Sequence, residues 1–258
     1  ADFFMTPSAQ LADYVLPSTS YLERPWLWTY SGIVGSERAM PRKIEGEYDR
    51  RDDYDIWRGL ALQLRQEEDW PWETLEEVYD YRLKPAGLTF KDFMSQGGFL
   101  SIPKEHKRYE KVGFGTPTGK IEIYSKTLEK LGYHPLPEFK EPPESPYSRS
   151  DLAKEYPLIL ITGGRFQPYY HSEHRQVQSL REMHPDPIVQ IHPNTAKQLG
   201  IQEGDWVWIE SPRGRIRQKY RPFSGIDARV VHVQHGWWFP EEEGAEPSLH
   251  GVWKSNCN

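Results

Sequence analysis

Apolar and polar positions along the chain fall into three regimes. Between Tyr54 and Gln66 the apolar residues Ile56, Trp57, Leu60, Ala61 and Leu64 recur at helical spacing and predict a helix. Thr74 to Arg82 predicts a second, with Thr74 and Glu77 in capping-box register, and Thr89 to Ser95 a short third. Near the start, Thr6-Pro7 supplies a cap and a first helical residue for Ser8 to Asp13. That short helix is flanked by the apolar triplets Phe3-Phe4-Met5 and Tyr14-Val15-Leu16, which read as strands of a parallel α/β unit. The stretch from Leu22 to Met40 is aromatic and irregular, with Trp26, Trp28 and Tyr30 two apart, as in an extended segment.

Past residue 110 the period changes. Thr116 to Lys120 predicts a turn, and Ile121 and Ile123 alternate with Glu122 and Tyr124 as a strand. A proline-rich link spans Pro135 to Pro146, and a boundary is expected near residue 150. Leu158 to Ile161 predicts a fully buried strand, His174 to Met183 a helix, and Ile188 to Ile191 a strand. Pro193 to Leu199 has Pro at its start and Gly200 just past its end, the asymmetry of a short helix. Trp206 to Glu210 and Arg215 to Tyr220 alternate across the turn Ser211 to Gly214, and Arg229 to Gln234 adds another strand. Short strands with brief helices point to a small closed barrel.

Composition sharpens this picture. The 258 residues suffice for one large or two modest domains. No apolar run approaches the roughly 20 residues that cross a bilayer, so no direct membrane insertion is expected. With 32 Lys and Arg against 38 Asp and Glu, the net charge of -6 argues against a general nucleic-acid binder. Residues 156 to 235 reverse the sign, with 10 basic and 7 acidic side chains, a field suited to a small anion or simply a solvated surface. Cys257 is the single cysteine, which rules out an internal disulfide or a cysteine cluster for zinc or iron–sulfur and leaves the compartment open between cytoplasm and periplasm.

Candidate chemistry concentrates late in the chain. Thr162-Gly163-Gly164-Arg165 follows a predicted strand, and His171-Ser172 opens the next helix. Glycines there let backbone N–H groups approach a phosphate, a helix start adds partial positive charge, and Arg165 and Arg175 can donate charge-assisted hydrogen bonds. An ordinary glycine turn accounts for the same residues. Arg213, Arg215, Arg217, Lys219 and Arg221 share one strand face, which reads first as a solvated face and second as a binding row. His171 with His174 and His232 with His235 suggest zinc ligands and hence a small zinc hydrolase, but His232 and His235 point to opposite faces of a regular strand. Trp237-Trp238 can stack on a flat ring or fill a core, and Asn256 and Asn258 can offer amides to a ligand or make turns. No set of acid, base, nucleophile or metal ligands stands out as catalytic.

Taken together and in order, three segments resemble the C-terminal region of the dimethyl sulfoxide reductase family of molybdenum and tungsten enzymes. They are MTPSAQLADYVLP with the following LER, TPTGKIEIYS at 116 to 125, and the stretch from Tyr156 to Asn258 with ITGGR, HSEHRQ, HPNTAKQLGIQEGDWVWIESPRGRIR, HGWW and NCN. The resemblance implies a mixed α/β and β architecture in three parts. Residues 1 to 25 would end a truncated Rossmann-like α/β domain, 26 to 150 would form a helical and extended connection, and 151 to 258 a double-psi β-barrel binding a molybdopterin dinucleotide. It implies a bis(molybdopterin guanine dinucleotide) cofactor carrying Mo or W, with Thr162, Gly163, Gly164, Arg165, His171, Ser172, Gly236, Trp237, Asn256 and Asn258 around it, a set to which the reading of the residues themselves adds Arg175. In the family the metal's protein ligand, and an iron–sulfur cluster where present, lie upstream, so this chain alone is expected to be inactive. Expected partners are the remainder of the polypeptide or a catalytic subunit, and an electron-transfer iron–sulfur subunit. The alternative is a natural small subunit that completes a split enzyme.

Overall fold

A computed structural model describes residues 1–29, 36–46, 48–101, 103, 105–163 and 166–256. The chain divides into two compact units, one of Ala1 with Leu16–Phe139 and the other of Asp2–Val15 with Lys140–Asn258.

The first unit carries an antiparallel sheet ordered β1 (Trp26–Thr29), β2 (Ser36–Met40), β3 (Phe99–Ser101). Trp26 pairs with Met40, and Arg38 with Phe99. Helices follow at Asp53–Gln63, Leu75–Leu83 and Phe90–Ser95. Each starts at a side-chain cap: Asp52 accepts from Asp55 N, Thr74 from Glu77 N, and Thr89 completes a capping box with Asp92. Leu27, Tyr79, Leu83, Phe90 and Phe93 form the core. The apolar stripe of the first helix lies largely outside it, since only Ala61 is buried there.

The second unit is built on a mixed sheet ordered β4 (Ile159–Ile161), β8 (Val230–Val233), β5 (Ile188–Ile191), β7 (Gly214–Pro222), β6 (Trp206–Ser211). Strands β4 and β8 run parallel, as do β5 and β7, while β5 with β8 and β6 with β7 are antiparallel. Edge residues Ile159 and Leu160 of β4 and Glu210 and Ser211 of β6 border one cavity of about 440 Å³, so the sheet curls its two edges toward each other. Val189, Ile191, Tyr220, Val231 and Val233 fill its interior with Ala196 of the helix Pro193–Leu199. The chain is thus a mixed α/β fold with a curled sheet.

Several local expectations are corrected. Residues 3–5 and 14–16 form short irregular segments around the helix Pro7–Gln10, because a parallel strand has no hydrogen bonds of its own and none of the described strands lies alongside them. Ile121 and Ile123 are exposed rather than in a strand, and the turn before them is closed locally by Thr116 Oγ1 donating to Lys120 O and by Thr118 N donating to Glu122 Oε1. β4 is an edge strand, with Ile159, Leu160 and Ile161 each more than two-fifths exposed. The helix expected from His174 starts at Gln178, because His171 and His174 hold φ of 53° and 69°, outside the right-handed helical region. On β7 the alternation is as expected: Gln218 and Tyr220 turn inward, while Arg215 lies over the Trp208 ring and Arg217 over Trp206.

Candidate cofactor-binding site

A cavity of about 350 Å³ opens within the second unit. One wall is the loop that follows β4, represented by Ser172, Glu173, His174 and Gln176. A second is the loop after β8, with Gly236, Trp237 and Trp238. Asn256, past the last helix, and the Thr6-Pro7-Ser8 start of the first helix complete it. Thr6 accepts from Ala9 N and Pro7 sits at the first helical position, which fixes how that segment enters the helix.

The two principal loops are tied together by polar contacts. Trp238 Nε1 donates to Ser172 O at 3.0 Å, and His171 Nδ1 lies 2.7 Å from His235 Nε2, so one ring must donate and the other accept. Gly236 has φ of 68°, and a Cβ there would stand 3.1 Å from Ser172 N and 3.2 Å from His171 C, so conformation and close approach both demand glycine. Its N–H donates to Asn256 Oδ1 at 2.9 Å.

Behind this junction lies Arg175, with 0% exposure. Its Nε donates to Gly236 O at 3.0 Å and its Nη2 to His171 O at 2.9 Å. The guanidinium carbon lies 4.0 Å from the centre of the Trp237 ring and 4.5 Å from that of Tyr169. Burial pulls its pKa down to about 9, so it remains charged at neutral pH. Tyr169 is anchored by its hydroxyl donating to His184 O at 2.8 Å, and burial raises its pKa. Burial lowers the pKa of His184 despite the hydrogen bond between its Nε2 and Gln234 Oε1 at 3.1 Å. Next to them Gln218 Nε2 donates to Gln234 O and Ser255 O, and Gln218 Oε1 accepts from Gln234 N.

Of the residues anticipated from sequence, Ser172, Gly236, Trp237 and Asn256 line the cavity, and His171 and Arg175 support it from behind. Thr162 and Gly163 are exposed and do not line it; Gly163 has φ of 94° with open space where a Cβ would go. Gly164, Arg165 and Asn258 lie outside the described residues. Trp237 is wholly buried, with Arg175 against its ring, so it braces the wall as core packing. Neither anticipated histidine pair forms: His171 meets His235, while His232 meets Gln190 Oε1 at 2.8 Å. Among the described residues no three His, Cys, Asp or Glu side chains group as metal ligands. Gln176 and the Thr6-Pro7-Ser8 segment are additional cavity residues, and the latter falls inside the first family-like motif.

Gln176 Nε2 and Trp237 Nε1 on lining residues, and Arg175 Nη1 behind them, are buried donors without an acceptor among the described residues. Such donors are costly to leave unpaired, and they fit an acceptor-rich ligand such as a phosphate-bearing cofactor. The volume suits part of such a molecule.

Comparison with known proteins gives this chemistry its class. Residues 158–251 match the molydopterin dinucleotide binding domain. Acetylene hydratase of Syntrophotalea acetylenica is 39% identical over 244 residues, which is 94% of this chain and 33% of that protein. Trimethylamine-N-oxide reductase of Haemophilus influenzae is 31% identical across 91% of this chain and 31% of its own length. The solved structure of acetylene hydratase from Pelobacter acetylenicus superposes with a TM-score of 0.87 at 37% identity, covering 98% of this chain and 35% of that one. The chain belongs to the dimethyl sulfoxide reductase family and corresponds to its C-terminal, dinucleotide-binding region. It spans about a third of the length of these relatives.

Proposed function

We propose that the second unit holds one dinucleotide arm of a bis(molybdopterin guanine dinucleotide) cofactor in the cavity bounded by Ser172, Gly236, Trp237 and Asn256. The observation that carries this reading is that both principal walls of the cavity, Ser172 to Gln176 and Gly236 to Trp238, lie within residues 158–251, the stretch that matches the molydopterin dinucleotide binding domain, and meet at a junction where glycine alone fits at 236. The curled sheet, with both edges on one cavity, supports reading residues 151–258 as a double-psi β-barrel. Residues 1–25 would complete a Rossmann-like domain for the other arm, and 26–150 the connection between them.

When bound, the cofactor's Mo or W centre supplies electron-pair transfer or Lewis-acid activation of a small substrate. The contribution of this chain is to bind and orient. Asn256 Oδ1 fixes the Gly236 amide, Trp238 fixes the Ser172 carbonyl, and the His171–His235 pair locks the loops that carry them. The protein ligand to the metal and any iron–sulfur cluster come from outside residues 1–258 in this reading. The isolated chain then turns over no viologen dye, and its partners are the catalytic part of the enzyme and an iron–sulfur electron carrier.

The test is the pterin content of the full chain purified from a host that makes the dinucleotide, read as the fluorescent oxidised pterin and released guanosine monophosphate per chain. Wild type should retain both. Asn256→Ala, which removes the acceptor of the Gly236 amide at the cavity wall, should lose most of them while keeping its fold. Equal retention in wild type and variant would remove the cavity from the binding site.

A further inference from the structure

On β7 the side chains of Arg215, Arg217, Lys219 and Arg221 share one face at a period of two residues, about 7 Å apart along the strand. β6 is the last strand of the sheet, and Trp206 and Trp208 lie on that same face, since Trp206 pairs with Lys219 and Trp208 with Arg217. Both indoles are open to solvent, 41% and 56% exposed. The cations lean along the strand onto them: the guanidinium carbon of Arg215 stands 4.6 Å from the centre of the Trp208 ring, and that of Arg217 5.3 Å and Lys219 Nζ 5.9 Å from the centre of Trp206. Two of the four cations also meet carboxylates. Lys219 Nζ lies 2.7 Å from Asp186 Oδ2, and Arg215 Nη1 lies 3.6 Å from Glu210 Oε1. Arg217 and Arg221 are exposed and have no ion pair among the described residues.

Guarding an edge strand against stray pairing needs only scattered lysines. Here arginines are set on aromatic plates instead. A guanidinium lying over an indole keeps its N–H donors in its own plane, where they can still grip a carboxylate, and the ring limits the orientations it must give up on binding. Tryptophan and arginine are also the residue types that carry most of the energy at protein interfaces. We infer that the outer face of β6 and β7 is a docking surface for an extended acidic segment of a partner protein, which crosses Trp206 and Trp208 and places carboxylates on Arg217 and Arg221. An extended segment repeats its side chains at the same two-residue period as the row. The chain as a whole carries a net charge of -6, so attraction for an acidic partner is confined to this face and fixes where the partner lands. A nucleic-acid strand fits less well. Bases need bare rings to stack on, whereas cations lie over both indoles, and Glu210 and Asp186 interrupt the row with negative charge.

The inference stands independently of the cofactor reading. Its test is a titration of the full chain, labelled with 15N, with a peptide of alternating glutamate and threonine, following the indole Nε1–H resonances of Trp206 and Trp208. Saturable shifts of both are expected, with none from the matching peptide in which glutamine replaces glutamate. Arg217→Gln should weaken binding roughly threefold, the size of one exposed ion pair, and Arg217→Gln combined with Arg221→Gln roughly tenfold. Trp206→Ala keeps every cation but removes the plate under Arg217, and should weaken binding about as much as Arg217→Gln; the arginine substitutions, both at exposed positions, carry the test should Trp206→Ala not fold. Oligothymidylate of the same length and vesicles containing phosphatidylserine form the competing arms. Tighter binding of either than of the glutamate peptide would make the row a surface for polyanions or membranes and overturn the inference. It is equally overturned by equal shifts with the glutamine peptide, by unmoved indole resonances, or by wild-type affinity in the doubly substituted chain.

Discussion

The interiors of the two units are built on different terms. In the first, Leu27, Tyr79, Leu83, Phe90 and Phe93 pack as hydrocarbon and aromatic surface, and the one hydroxyl among them, on Tyr79, donates to Pro25 O. In the second, an equally buried apolar group around Val189 and Val233 adjoins a polar layer of Arg175, His184, Gln218, Gln234 and Ser255, each no more than 5% exposed. Apolar burial stabilises without specifying direction, whereas buried hydrogen bonds fix atoms relative to one another and are costly when broken. The polar layer adjoins the cavity walls, where direction matters, whereas the buried polar residues described in the first unit are Ser18, Glu23 and Ser36, with Glu23 paired to Arg50. The lesson is that unit one should answer substitution in stability and unit two in binding as well.

The largest expected effect falls on the apolar side. Phe93 is 2% exposed, and Phe93→Ala should cost about 3–5 kcal/mol by denaturant unfolding. Dinucleotide retention per folded chain should not change; parallel loss of retention would break the contrast between the units. Somewhat smaller is Gln218→Leu, similar in size but unable to serve the Gln234 and Ser255 backbone groups, with a cost of about 3 kcal/mol. Here retention should fall too, because Ser255 adjoins Asn256; a pure stability loss would make the polar layer mere packing.

The smallest effect is a pH dependence confined to the second unit. His184 and His232 have pKa values lowered by burial, so the unfolded chain binds protons that the folded one refuses. Their contribution is complete above the ordinary histidine value of 6.5 and declines as pH falls below it. Melting followed by probes in each unit should show the second weakening from pH 7 to pH 5.5 by this route, and His184→Gln should flatten the slope. A slope unchanged by that substitution would assign the effect elsewhere.

What was legible in the sequence was local. Thr6-Pro7, Thr74, Thr89 and the Pro193 to Gly200 frame mark helix ends through contacts a few residues apart, and the structure places helices there. The β6–β7 hairpin is equally local, since its alternation and turn lie within one short segment. Positions fixed by distant partners were not legible. His171 meets His235 across 64 residues, and Arg175 turns inward only because Gly236 O is there to receive it. The helix expected from His174 failed because left-handed residues are imposed by that junction. Gly163-Gly164 drew attention as a phosphate turn by its place at the end of a predicted strand, and Gly164 lies outside the described residues; Gly236, which borders the cavity, owes its need for a missing side chain to a loop brought in by the fold. The family resemblance found the region because it reads motif order, which spans both loops at once.

In the proposed function the dinucleotide lies against the loops at 171–176 and 235–238. Hydrogen–deuterium exchange of the full chain, compared with and without bound dinucleotide, tests it most directly. Protection should centre on those two loops and on Asn256, with Leu75–Leu83 and Phe90–Ser95 unchanged. Protection confined to the first unit, or to the outer face of β6 and β7, would contradict it.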